Sequence, residues 1–157
     1  MIDQIYTYFT IEMIFMWLNL GVLPFWLMLI IFPQAQICRV FITSIFPTFI
    51  LSLVYGYLLH LLFIEGYDFI GNFKLYHGLD AVSNLFRDKN FIILFWLHFL
   101  AINLFCGGWI VKDSQKFGIN KMLMSFPLLI TYFIGPIGLT IYWIIRIFYA
   151  KRINLYD

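Results

Sequence analysis

The sequence predicts an all-α integral membrane protein: a four-helix bundle with a short amphipathic helix lying in the membrane interface between helices two and three. Three observations carry that prediction. The chain of 157 residues is 63% hydrophobic and only 11% charged, with a mean hydropathy of +0.91, which is far more apolar than a soluble domain of that length. Its apolar residues fall in four long runs, each near or above the roughly 20 residues that a helix needs to cross the hydrocarbon core. Those runs are continuous, whereas a membrane β-barrel requires strict alternation. Residues 1–157 read as a single membrane domain, with spans at about 13–32, 40–64, 91–111 and 122–148.

Met1 to Glu12 is a mixed lead-in carrying Asp3 and Glu12. It lacks a basic segment before the apolar run and a small-residue cleavage site, so the first run is expected to stay as a membrane helix. That run, Met13 to Phe32, contains Asn19 and Pro24. Proline removes a backbone donor and frees the carbonyl four residues earlier, here Leu20, so a kink is expected. Pro33 marks the stop. The second span, Val40 to Ile64, holds Pro47, Ser52, Tyr55, Tyr57 and His60.

Glu65 to Asn90 is the one long connection. Leu75, Leu79, Val82 and Phe86 recur at helical spacing, with His77, Asp80, Asn84 and Arg87 on the other side. That pattern predicts a short helix lying in the interface. The third span, Phe91 to Val111, organises the rest of the chain. Only His98 and Asn103 interrupt its apolar sequence, before Gly107, Gly108 and Trp109, the last an expected interface anchor. Lys112, Asp113 and Ser114 read as a return to water in a loop running to Lys121. The fourth span, Met122 to Phe148, has Pro127 near its start and Gly135-Pro136-Ile137-Gly138 in its middle, and leads into a basic tail. Gly107, Gly135 and Gly138 suit close helix packing.

Four spans put both termini on one side. Lys74, Arg87, Lys89, Arg146, Lys151 and Arg152 then face Arg39, Lys112, Lys116 and Lys121 across the membrane. That division leaves the orientation open.

The net charge of +2 is small and dispersed, so nothing points to nucleic acid. The two cysteines, Cys38 and Cys106, form no metal-binding spacing; they suit small apolar filling, with a disulfide between them left open. No metal, cofactor, phosphate-loop or serine-triad signature is present in the sequence. Aromatic residues make up 22%, enough to belt the interfaces or to line a site for a polyene.

Within this pattern Asn-Leu-Gly-Val-Leu-Pro-Phe-Trp-Leu-Met (19–28), Tyr-Gly-Tyr-Leu-Leu (55–59), Trp-Leu-His-Phe-Leu-Ala-Ile-Asn-Leu-Phe (96–105), Trp-Ile-Val-Lys-Asp-Ser (109–114), Leu-Met-Ser-Phe-Pro (123–127) and Gly-Pro-Ile-Gly (135–138) stand in order. Through these pieces the chain resembles the abscisic-acid-deficient-4-like membrane family over nearly its whole length. The plant member of that family is required for making the carotenoid neoxanthin. The resemblance implies carotenoid- or isoprenoid-modifying chemistry, in its sharpest form isomerisation of a cyclic epoxide end group to an allene. Two positions depart from the family pattern: Asn103 stands where the family has Asp, and Gly108 where it has Arg. Their joint loss suggests that the two groups are partners in the family.

Epoxide-to-allene isomerisation needs a base for the chain proton and a donor for the epoxide oxygen. His98 is the residue of the third span suited to act as that catalytic base. An ionisable group at membrane depth is by default a functional candidate. At 1.5 Å per residue, His98, Asn19, His60 and Tyr142 fall at similar depth, with Arg146 just above and Asn103 deeper. These residues are therefore expected to build a ligand site inside the bundle, with the Leu75–Phe86 stretch as its lid. The alternative is that each polar group belts the interface separately. The partners expected are membrane lipid, a carotenoid or isoprenoid ligand, and partner biosynthetic enzymes. The rival to an enzyme is a non-catalytic membrane subunit that binds or stages a lipid or polyene for those enzymes. The expected location is a membrane, a bacterial inner membrane ahead of a plastid one.

Overall fold

The structure, a computed structural model of the chain, describes residues 10–68 and 78–154. Six α-helices and one π-helical turn make up its regular elements among these residues: α1 (Ile11–Ile31), the π-turn (Cys38–Ile42), α2 (Phe46–Ile64), α3 (Leu79–Leu85), α4 (Lys89–Lys116), α5 (Lys121–Phe133) and α6 (Gly135–Ala150). Three of them, α1, α2 and α4, are long and apolar enough to cross a membrane. They correspond to the first three expected spans.

Helix α1 starts where Thr10 accepts a hydrogen bond from the Met13 N–H (3.3 Å), a polar cap ahead of an apolar run. Its buried stripe is Ile14, Leu18, Val22, Trp26 and Leu29, the i, i+3, i+4 spacing of one helical face. Pro24 lies on the exposed side of a helix that continues through it to Ile31. The second expected span begins later than its hydropathy suggests. The chain bends at Thr43–Ile45, Ser44 accepts from the Phe46 N–H (3.1 Å), and Pro47 sits in the first turn of α2. Proline is tolerated there because the early N–H groups of a helix have no partner to lose.

Helix α4 is the central element. It buries 44% of its apolar window, against 28% for α1 and 22% for α2, and packs on α1, α2, α5 and α6. Asp88 caps it by accepting from the Asn90 N–H (2.8 Å). Its 28 residues make a rod about 42 Å long, and it runs past the expected end at Val111 to Lys116. Gly107 lets α1 approach closely: a Cβ there would stand 2.8 Å from the Trp26 ring. In a bilayer, such close backbone contact replaces the hydrophobic drive as the source of helix association. Trp109, expected as an interface anchor, instead stacks on Trp143 (6.1 Å) and meets the edge of Tyr142 (5.6 Å).

The expected fourth span, 122–148, is not one helix. Ile134 is extended (φ −139°, ψ 79°) and divides it into α5 and α6, of 13 and 16 residues. At 1.5 Å per residue each is about 20–24 Å long, short of the roughly 30 Å core. The two pack against each other as a hairpin. Pro136 lacks an N–H and cannot continue the α5 ladder; the Ile137 and Gly138 N–H groups instead donate to the Ile134 carbonyl (both 3.1 Å). Gly138 lies directly against Thr131, where a Cβ would collide with backbone. The contacts along the hairpin fix its direction. Met124 near the start of α5 touches Ser114, the turn residue Gly135 lies on Asn103 in mid-α4, and Arg146 near the end of α6 returns to Asp113. The segment enters from one end of α4, turns at mid-depth and leaves at the same end.

This hairpin of two shorter helices stands where the sequence predicts one helix as a fourth span. It places the last turns of α6 and the residues to Asn154 at the C-terminal end of α4, while α1 begins at the N-terminal end of α4. The basic residues sort accordingly. Arg39, Lys112, Lys116, Lys121, Arg146, Lys151 and Arg152 lie toward one end, while Arg87 and Lys89 lie toward the other with Glu12, Glu65, Asp68, Asp80 and Asp88.

The connection after α2 contains α3, of 7 residues. Leu85 is buried, Phe86 packs edge-on against Phe91 and Phe95 (5.3 and 4.8 Å), and Leu79 is exposed. Helix α3 covers the second half of the expected interfacial helix. Leu75 and His77, like residues 1–9, fall outside the described residues.

Candidate functional site

The six expected site residues do not gather in one place; of them, Tyr142 and Arg146 share a partner. His98 points outward from α4 and lies in a groove of about 220 Å³ between α2 and α4, with Thr48, Ser52, Tyr55, Leu97 and Ala101 around it. Asn19 is on the far side of α4. Its Oδ1 accepts from the Trp96 indole N–H (3.1 Å) and its Nδ2 donates to the Phe15 carbonyl (2.7 Å). Trp96 and His98 are two residues apart on one helix, so their side chains diverge by about 200°. Asn19 thus clips α1 to α4. His60 is exposed in the last turns of α2.

Tyr142 and Arg146 stand at the opposite end. The depth arithmetic of the sequence places them beside His98 because it assumes a fourth helix crossing the membrane; the hairpin reverses the direction of α6. Both are fully buried. The Tyr142 O–H and the Arg146 Nε–H each donate to Oδ2 of Asp113 at 2.7 Å, and Arg146 also donates to the Asn154 carbonyl (3.1 Å). Its guanidinium lies 4.8 Å from the Phe117 ring and 5.0 Å from the Trp143 ring. Asp113, expected in a solvated loop, is instead the acceptor at the centre of this cluster. It is about 22 Å along α4 from His98. The signal that could have found it was the pair Tyr142 and Arg146, four residues apart and so on one helical face, which requires an acidic partner when buried.

Asn103 is buried against Gly135 at the hairpin turn, and its Nδ2 has no hydrogen-bond partner among the described residues. Gly108 faces elsewhere: a Cβ on it would be 3.6 Å from the Ile42 carbonyl and 3.7 Å from Thr43 Cα. Five residues separate the two positions, so they diverge by about 140° on α4. Residues placed there point at different neighbours, the hairpin turn and the π-turn. Cys38 and Cys106 are both free thiols.

A second groove, about 670 Å³, runs between α1 and α2. Trp17, Leu18, Gly21 and Phe25 form one wall and Pro47, Ile50, Val54 and Tyr57 the other. Both helices pack on α4 and leave this cleft between them. No cluster of three or more metal-ligating side chains occurs among the described residues.

The fold defines an all-helical protein with three helices long and apolar enough to cross a membrane, a hairpin of two shorter helices, and a groove that carries a histidine beside hydroxyl groups. The ABA DEFICIENT 4-like family model matches residues 13–142, and the chain belongs to that family. It is 23% identical over 129 residues to Protein ABA DEFICIENT 4, chloroplastic, of Arabidopsis thaliana, a match covering 80% of this chain and 57% of that relative. The chain therefore spans little more than half the length of the curated relative it matches. No solved structure matches it.

Proposed function

We propose that this chain is a carotenoid- or isoprenoid-modifying membrane protein and that the His98 groove is where it acts. The observation that carries the reading is the position of His98: on a helix long and apolar enough to cross a membrane, exposed in the α2–α4 groove, and beside Ser52 and Tyr55. A polyene dissolved in lipid reaches such a groove laterally, without passing through water or the bundle core. An ionisable side chain at membrane depth is costly where it has no role. Family membership supports the substrate class, and the chloroplastic relative supports a plastid-type membrane over a bacterial inner membrane.

The finer reaction is epoxide-to-allene isomerisation. Neutral His98 removes the proton from the chain carbon next to the epoxide ring. The electron pair forms the new carbon–carbon double bond and the adjacent carbon–oxygen bond breaks. The oxygen keeps that bonding pair and takes a proton from the Tyr55 hydroxyl. Tyr55 recovers its proton from His98, so substrate and product have the same composition and no oxidant or reductant is consumed. A histidine suits this because its two protonation states interconvert near neutral pH, and general acid–base groups work best there.

The rival reading, a non-catalytic subunit that stages a lipid or polyene for partner enzymes, is favoured by the larger α1–α2 groove. That groove has room for an apolar chain, and Tyr57 is its one titratable lining residue. Pigment analysis separates the two. Expressed in a host that accumulates epoxy-carotenoids and lacks an allene-forming enzyme, the chain should yield an allenic carotenoid if it is the enzyme. An unchanged pigment profile, with the epoxy-carotenoid co-purifying with the protein, supports staging.

A further inference from the structure

We propose that the end of the molecule carrying Arg39 and Lys121 contains a binding site for the phosphate of an anionic glycerophospholipid. A polar cavity of about 650 Å³ lies there, lined by Gln34, Arg39, Gln115, Asn120 and Lys121 with Gly118 and Ile119. It is built by three connections that meet at one level: the turn after α1, the π-turn, and the short link between α4 and α5. Two contacts hold its walls. Gln115 Nε2 donates to the Pro33 carbonyl (2.8 Å), and Gly118 takes a positive φ of 62° that reverses the chain between the helices. Asn120 uses its Oδ1 to accept from the Met122 N–H (2.8 Å), so its amide N–H₂ remains available as a donor.

The lining chemistry selects an anion. It contains two cations and three amides but no carboxylate, and neither Arg39 nor Lys121 has an acidic partner among the described residues. An arginine fork, an ammonium and amide donors match the acceptor oxygens of a phosphodiester. The rim points to a lipid rather than to free phosphate. Phe32, Ile37, Val40 and Met122 flank the site and expose large apolar surfaces, and the Phe32 ring lies under the Lys121 ammonium (6.0 Å). A phosphate with acyl chains satisfies both parts; a free ion satisfies only the first. The wider charge distribution agrees: Arg39, Lys112, Lys116, Lys121, Lys151 and Arg152 lie toward this end, where the one described acid, Asp113, is already held by Arg146 and Tyr142. Basic groups next to a membrane are attracted to anionic leaflets.

The site is independent of the His98 groove, and its test needs no activity. Purified protein in neutral detergent is melted alone, with phosphatidylglycerol, with phosphatidylcholine and with inorganic phosphate. Phosphatidylglycerol is expected to raise the Tm by several degrees at a concentration where the other two leave it unchanged. The double variant Arg39→Ala/Lys121→Ala loses that rise, while Arg87→Ala, at the opposite end, keeps it. Should the double variant melt poorly, Arg39→Gln/Lys121→Gln with native mass spectrometry of retained lipid gives the same readout. Undiminished phosphatidylglycerol stabilisation in the double variant overturns the proposal, as does an equal response to phosphatidylcholine. An equal rise with inorganic phosphate overturns the lipid assignment.

Discussion

Arg146 Nε donates to Asp113 Oδ2 at 2.7 Å, with the arginine side chain fully buried and the aspartate side chain 10% exposed. This pair joins the end of the α5–α6 hairpin to the end of the central helix. Breaking a buried ion pair from one side leaves an uncompensated charge and costs about 3–5 kcal/mol, whereas replacing both partners by apolar groups costs far less. Asp113→Asn and Arg146→Met are each expected to lower the Tm in detergent strongly, with Asp113→Leu/Arg146→Met recovering part of the loss. Tyr142→Phe removes one hydrogen bond to the same oxygen and is expected to cost about 1–3 kcal/mol. A double variant no better than the sum of the singles would show that the pair does not lock the hairpin.

The hairpin also sets the topology. If α1, α2 and α4 each cross and the hairpin turns back, Thr10 and Asn154 are expected on opposite sides of the membrane. The end with Arg39, Lys112, Lys116, Lys121, Lys151 and Arg152 is expected on the cytoplasmic or equivalent side, because basic residues in short connections resist translocation. Reporter fusions at Thr10 and Asn154, or labelling of single cysteines at Lys116 and Asp80, should give opposite locations. Matching locations would restore a fourth full span.

Asn103 and Gly108 point at different neighbours, the hairpin turn and the π-turn. Asn103→Asp, which buries a carboxylate with no cation beside it, is expected to destabilise strongly. Gly108→Arg must place its side chain in the cleft lined by Thr43, Ser44 and Lys112, next to another cation. The double variant should melt at the sum of the two single effects, since sites without shared partners add within about 0.5 kcal/mol. A double variant clearly more stable than that sum would show an ion pair across α4.

Much of this was legible in the sequence. The three crossing-length helices follow from the apolar runs at about 13–32, 40–64 and 91–111, though the second helix begins only at Phe46 and the third runs on to Lys116. The hairpin was not legible, because a re-entrant segment and a crossing one have the same hydropathy. What distinguishes them is Gly135-Pro136-Ile137-Gly138 at mid-depth, where a missing N–H and a side-chain-free contact with Thr131 coincide. Every site residue on α6 was misplaced for that one reason. Asp113 was missed for another: Lys112, Asp113 and Ser114 look like the edge of water, but Ser114 is buried, donating to the Val111 carbonyl (2.7 Å), and the helix continues. His98 stands on an exposed face of α4 and not inside the bundle, because the period of the helix could not say which neighbour it would face.

The proposed role of His98 and Tyr55 is tested most directly by pigment chromatography of membranes from the epoxy-carotenoid host carrying the wild type, His98→Ala, Tyr55→Phe or His60→Ala, each normalised to folded protein in the membrane. The account predicts an allenic product with the wild type and with His60→Ala, a loss of 100-fold or more with His98→Ala, the scale of an acid–base group at about 10²–10⁴, and a substantial loss with Tyr55→Phe. Full product from His98→Ala at wild-type protein levels would contradict it.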